Sequence, residues 1–276
     1  MDLGGPGATV IPSLFKGLLD DAAVFPPGLM PLADAVPAHV RHRAAPYREI
    51  VGPLVLAAPD LAGLGDTELE LAITAPGGPA QLPEVFARAA ELPVRPAALE
   101  VAVPAGMSPA EFFGALPESE VPVFVEVPRD ERRAEVIARC AETGRQAKFR
   151  TGGVQAELYP DETELAAGIR AVVDAGVPFK ATAGLHHAVR NTDPVTGFEQ
   201  HGYLNILVAT ADALAGKEVQ RLTGVLAERD GRTLAERLST VDTEVRRAFR
   251  SFGTCSIIEP LTELVELGLV DEGVIA

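Results

Sequence analysis

Two apolar stretches each carry a lysine near their middle. In QAKFRTGG (146–153) it is Lys148, and in PFKATAGLHH (178–187) it is Lys180. The two lie 32 residues apart, and each is followed at the fourth position by a glycine, Gly152 and Gly184. The chain has four lysines against twenty arginines, so half of its lysines fall in runs that read as buried. An amine that has lost its proton can attack a carbonyl and form a Schiff base. Arginine cannot, because it stays protonated. A second ammonium, a nearby guanidinium and burial all weaken a lysine's hold on its proton. The pair therefore points to carbonyl chemistry, with Lys148 expected to be made neutral near physiological pH by Lys180 and Arg150.

The pattern around these residues specifies the elements that must hold them. Short apolar runs bounded by proline or glycine recur at 21–28, 52–59, 69–78, 97–106, 121–128, 146–153, 177–185 and 250–258. Each reads as a strand buried on both faces. Helical segments lie between. SPAEFFGALPES carries Ser108 as N-cap, Glu111 three residues on and proline at the first helical position, a capping box. RDERRAEVIARCAETG spaces Ala134, Ile137 and Ala141 helically and stops at Gly144. DETELAAGIRAVVDAG does the same with Leu165, Ile169, Val172 and Val173 and stops at Gly176.

Eight alternations of strand and helix predict an α/β fold, a single (β/α)8 TIM barrel over residues 1–276, in preference to an open sheet. Only a short helix fits between the second and third strands. Residues 186–249 form an enlarged helical excursion of two or three helices between the seventh and eighth strands. Residues 1–12, rich in glycine and proline, are expected to fray.

Alternate side chains of a barrel strand point inward. Lys148 shares a face with Arg150, Lys180 with Thr182, Glu100 with Ala98 and Ala102, and Glu126 with Phe124. With those faces inward, Glu100, Glu126, Lys148, Arg150 and Lys180 converge near the strand C-termini, where barrel enzymes carry their chemistry. So many buried charges must be paired. A structural ion-pair network is thus the competing reading, and a lysine snorkelling outward between helices is another.

Composition narrows the partners. The core must be aliphatic, since 47% of residues are hydrophobic but only 5% aromatic. A net charge of −15 disfavours nucleic acid and anionic membranes. Cys140 and Cys255 lack metal-type spacing and read as reduced thiols. The N-terminus has no basic stretch followed by a long apolar run, and no segment is apolar for long enough to span a bilayer. A cytoplasmic location, a small-molecule substrate and homo-oligomerisation are the default expectations.

In motif order from Leu99 to Leu261, the chain resembles the class I deoxyribose-phosphate aldolase family of barrels. AKFRTGG is similar to that family's sixth strand, and PFKATAGL to its seventh. ALEVAVP and FVEVP resemble the fourth and fifth, and RSFGTCSII the phosphate-holding end. The resemblance implies that Lys148 forms the imine, Lys180 tunes it and Glu100 moves protons. It further implies that backbone amides at Thr151, Gly152, Gly153, Gly184 and Gly253 to Ser256 cradle an anion; no cofactor is required. The departures are Glu100 in place of an aspartate, Arg150 in place of a small residue, the histidines, and the long final connection. They argue for a different substrate, one carrying a carboxylate on Arg150 among the options.

His186, His187, Asp193 and His201 cluster in sequence after the seventh strand. A metal site, acid–base work or substrate contact by His186, and a solvated loop are all open, and no metal is assigned. His39 and His42 read as surface residues. Asp20 and Asp21 read as a cap or turn before the first strand, and Cys255 as a small core residue. The first expectation is a carbon–carbon lyase of the aldolase type. The alternatives are a barrel isomerase or decarboxylase using the Lys/Arg cluster with a histidine or metal, and a non-catalytic metabolite-binding barrel.

Overall fold

Runs of β-branched and aliphatic residues closed off by proline and glycine can bury both faces only inside a sheet covered by helices. In the computed structural model, which describes residues 10–275, they do so as a closed (β/α)8 barrel. The barrel strands are β1 (Leu19–Asp21), β2 (Val51–Ala57), β3 (Leu69–Ala75), β4 (Val94–Ala102), β5 (Val123–Glu126), β6 (Gln146–Arg150), β7 (Phe179–Thr182) and β10 (Phe249–Thr254). All neighbours are parallel, and β10 closes the ring between β7 and β1. A small antiparallel hairpin, β8 (Asn191–Thr192) with β9 (Glu199–Gln200), lies in the excursion and was not foreseen.

Register decides which side chains meet. Glu126 on β5 is level with Lys148 on β6, and Lys148 is level with Lys180 on β7. Glu100 on β4 is level with Phe124. Side chains such as Leu56, Ile73, Val101, Val125, Ala147 and Ala181 face outward and form the main core with the helices. Ala22, Val55, Ala72, Ala98 and Phe124 form a separate small cluster, with Phe25 packed against it.

The helices obey their caps. Ser108 Oγ accepts from Glu111 N at 3.3 Å, and Glu111 Oε2 accepts from Ser108 N at 2.9 Å, ahead of helix 109–115. Helix 133–143 ends on Gly144 at φ +67°, but it buries Val136, Ile137 and Cys140, whereas Ala134 and Ala141 are exposed. Helix 162–174 starts on Asp161 and buries Leu165, Ile169 and Val172. Only a 3-10 turn, 58–63, separates β2 from β3. The excursion contains helices 203–214, 219–226, 231–238 and 245–248, its last expected helix having split in two. Residues 203–210 are buried on every face, because outer helices 219–226 and 231–238 cover the helix that itself covers the barrel.

Two placements differ from expectation. The first strand lies before the apolar run AVFPP rather than within it, which brings Asp20 and Asp21 into β1. Of the expected frayed segment 1–12, residues 1–9 lie outside the described residues, and Ile11 is buried in the core. No helix among the described residues is long and apolar enough to cross a membrane.

Candidate active site

Strand parity carries the polar side chains of β4 to β7 inward, as their spacing predicts. Lys148 and Lys180 are 5% and 2% exposed, and both reach the one carboxylate of Glu100, itself 2% exposed. Lys148 Nζ lies 3.0 Å from Glu100 Oε2 and 3.0 Å from Glu126 Oε2. Lys180 Nζ donates to Glu100 Oε1 and Asp20 Oδ2, each at 2.5 Å, and stands 5.5 Å from the centre of the Phe124 ring. Arg150 Nε donates to Glu126 Oε1 at 3.1 Å. Ser251 Oγ donates to Asp20 Oδ2 at 2.7 Å. The chain of contacts Arg150–Glu126–Lys148–Glu100–Lys180–Asp20–Ser251 thus crosses the barrel interior.

Three cations alternate with three carboxylates, and this alternation overturns the expected depression of lysine basicity. Burial alone does push both amines toward the neutral form. For Lys148 it is outweighed by Glu100 and Glu126, and the amine ends above its ordinary range. For Lys180 it is outweighed by Asp20 and Glu100, and that amine too ends above its ordinary range. Glu100 is held down to about 2, since Lys180 and Lys148 outweigh its burial. Glu126 is lowered in the same way by Lys148 and Arg150. Burial raises Asp20 despite its contact with Lys180. Sequence spacing placed the cations side by side; the carboxylates between them come from other strands.

A cavity of about 320 Å³ opens above this chain at the C-terminal ends of the strands. Lys148, Arg150, Glu100, Glu126, Thr182, Gly153, Gly184, Gly253 and His186 line it, together with Ala22, Phe25, Ala57, Ala102, Val154 and Cys255. Lys180, Asp20 and Ser251 do not line it. Lys148 is therefore the amine that the cavity reaches, and Lys180 is sealed beneath.

Of the expected cradle of backbone amides, Thr151 N donates to the Thr182 carbonyl at 2.8 Å and Ser256 N to Thr254 Oγ1 at 3.4 Å. Thr151 is fully buried, and its hydroxyl donates to the carbonyls of Thr182 (3.1 Å) and Ala183 (2.7 Å). Gly152 packs between Tyr159 and Gly184: a Cβ on it would come within 2.6 Å of the Tyr159 ring. Ser256 Oγ accepts from Glu259 N at 3.2 Å in the first turn of helix 258–266. None of these three lines the cavity.

The histidines separate. His186 faces the cavity with Nδ1 3.2 Å from Cys255 Sγ, whereas His187 turns away to Glu263 Oε1 at 2.6 Å. Adjacent residues of an extended chain point to opposite sides, as anticipated. His201 is buried elsewhere, with Nε2 2.8 Å from the Pro160 carbonyl and Nδ1 3.3 Å from Arg190. Asp193 turns its own loop by accepting from Val195 and Thr196 N. Burial lowers His186 and, more strongly, His201, which falls to about 4. Glu263 raises His187.

Two residues that the sequence reading set aside belong to the interior. Asp20 pairs with Lys180, and Asp21, facing out from β1, meets His39 Nδ1 at 2.9 Å. His39 is 2% exposed rather than on the surface. Two adjacent acids before an apolar run were the available signal, but the strand boundary was placed too late to give them opposite faces. Cys255 is half-buried at the cavity wall, and burial pushes its thiol up to about 11.

Compared with known proteins, the chain matches no protein-family model and no curated protein sequence.

Proposed function

We propose that this protein is a lysine-dependent carbon–carbon lyase that forms a Schiff base between Lys148 and a small oxygenated carbonyl compound. One observation carries the reading. Of two buried amines joined through one carboxylate, only Lys148 faces the cavity. An ammonium must lose a proton before it attacks, and Glu126 and Glu100 are the acceptors, each 3.0 Å from Nζ. The freed lone pair adds to the carbonyl carbon, and the carbonyl oxygen leaves as water after two proton transfers. Removal of the proton from a β-hydroxyl of the bound substrate then lets that oxygen form the carbonyl of a departing aldehyde, and the iminium nitrogen takes up the electron pair of the breaking carbon–carbon bond, leaving an enamine. Protonation of the enamine carbon and hydrolysis return Lys148. Lys180 stays cationic beneath and holds Glu100 ionised, so that Glu100 can relay protons while the cluster keeps its charge balance. The motif resemblance to class I aldolases supports the same assignment of roles.

Borohydride reduction of the protein with a panel of small aldehydes and ketones tests it. A stable mass increase at Lys148 is expected, lost in Lys148→Ala. No adduct across the panel, together with turnover surviving Lys148→Ala, overturns it.

The raised basicity of both lysines favours a second reading without an imine. There Lys148 remains an ammonium and stabilises an enolate, with His186 moving the proton, as in an isomerase or decarboxylase. Lys148→Arg separates the two, since guanidinium keeps the charge but cannot form an imine. Activity retained in Lys148→Arg supports the second reading.

A further inference from the structure

The barrel interior is divided by strand. On β4 to β7 the cavity is lined by the charged or polar Glu100, Glu126, Lys148, Arg150 and Thr182, whereas Ala22 after β1, Val55 and Ala57 of β2 and Ala102 of β4 are apolar. Ala22 and Ala57 line the cavity from the β1–β2 side and Ala102 from β4, next to Glu126, and their small side chains leave it hollow. Phe25 continues that wall toward the mouth, where Val154 lines the cavity while 70% exposed. An exposed valine at the rim of a cavity is apolar surface that an apolar ligand would cover.

The charges that line the cavity balance, Lys148 and Arg150 against Glu100 and Glu126. Arg150 and Lys148 are both paired to Glu126, and Lys148 and Lys180 to Glu100, with Asp20 as the third anion. A phosphate dianion entering here would meet two carboxylates, Glu100 and Glu126, as well as two cations, Lys148 and Arg150. The Thr151 hydroxyl that could have held it is engaged by the fold.

We infer that the substrate of this site is an uncharged aldehyde or ketone with a short apolar chain, its carbonyl at Lys148 and its chain against Ala22, Ala57 and Ala102. The carbonyl half rests on the Schiff-base reading of the site. The apolar half does not.

The test uses two homologous series on the full-length protein. Propanal, butanal and pentanal in equal amounts are trapped competitively with borohydride and the adducts at Lys148 weighed by peptide mapping. Propan-1-ol, butan-1-ol and pentan-1-ol, which cannot form an imine, are titrated by ligand-observed NMR. About fourfold tighter binding per added methylene is expected in both series, since each buried methylene contributes that much. Ala57→Leu should flatten the gradient by filling the hollow, and the wild-type series decides the matter should that variant fail to fold. A gradient for the alcohols without any adduct removes the imine and keeps the apolar site. A flat alcohol series, or glycolaldehyde phosphate trapped better than glycolaldehyde, overturns the inference while leaving the imine standing.

Discussion

Glu100 is the residue on which both lysines depend. Its two carboxylate oxygens are divided between Lys148 and Lys180, and among the described residues no other side chain pairs with both amines. Glu100→Gln keeps the shape and removes the charge, leaving two buried ammonium groups with one carboxylate each. Adduct formation at Lys148 should fall about 100-fold or more, the usual worth of a positioned proton acceptor. Unfolding in urea should show a loss of about 3–5 kcal/mol, the cost of breaking a buried ion pair on one side. If Glu100→Gln traps carbonyls as fast as wild type, the proton route does not pass through this residue. Such pairing also explains why lysine basicity was misjudged from sequence. Spacing along β6 and β7 brings cation next to cation, but desolvated charges are settled by the nearest counter-charge, and those stand on β1, β4 and β5.

At the scale of elements, the approach of β1 to β2 is set by one glycine. A Cβ on Gly52 would lie 2.2 Å from Asp20 Oδ1, where real carbon–oxygen contacts do not occur. Gly52→Ala should therefore push the Asp20 carboxylate off Lys180. A loss of about 1–3 kcal/mol is expected from overpacking, with a slower or absent adduct at Lys148 despite an unchanged β6. Full trapping by a stable Gly52→Ala variant would show that the Asp20 contact is dispensable. The helix ahead of β5 offers a simpler test of local rules. Ser108→Ala removes the capping acceptor and should cost about 1 kcal/mol in denaturant unfolding, with no effect on the cavity, since Ser108 lies on the surface. These capping signals were legible because they are local: donor and acceptor sit three residues apart. The start of β1 was not, because a three-residue strand carries too little periodicity to place its own boundary.

For the whole molecule, buried titrating groups predict how stability follows pH. His201 titrates at about 4 in the fold against an ordinary 6.5, so the unfolded chain binds its proton first. Its contribution is present above about pH 6.5 and is lost as the pH falls toward 4. Glu100 is depressed from 4.5 to about 2, so its contribution is present above 4.5 and is lost between there and 2. Each shift corresponds to about 3 kcal/mol at most. The lysines have the opposite sign: raised in the fold, they add stability below their unfolded value of 10.5 and lose it above. Urea midpoints should therefore form a plateau from near neutrality to about pH 10, with acid loss in two stages. His201→Asn should shrink the upper stage and leave the lower one, since the buried His186 keeps a part of the upper stage. A single acid transition below pH 4 in the wild type would count against the buried neutral imidazole.

The sequence by itself determined the alternation of strand and helix, the inward parity of Lys148, Arg150, Lys180, Thr182, Glu100 and Glu126, and the opposite facing of His186 and His187. Period and burial are written in neighbouring residues, so they can be read without the fold. Only the tertiary structure decided which charges pair, that Asp20 and Ser251 join the cluster from the first and last strands, and that the Thr151 hydroxyl is already engaged. Those outcomes depend on register and ring closure, which set residues 22 to 231 positions apart within hydrogen-bond reach of one another. No local pattern encodes that distance.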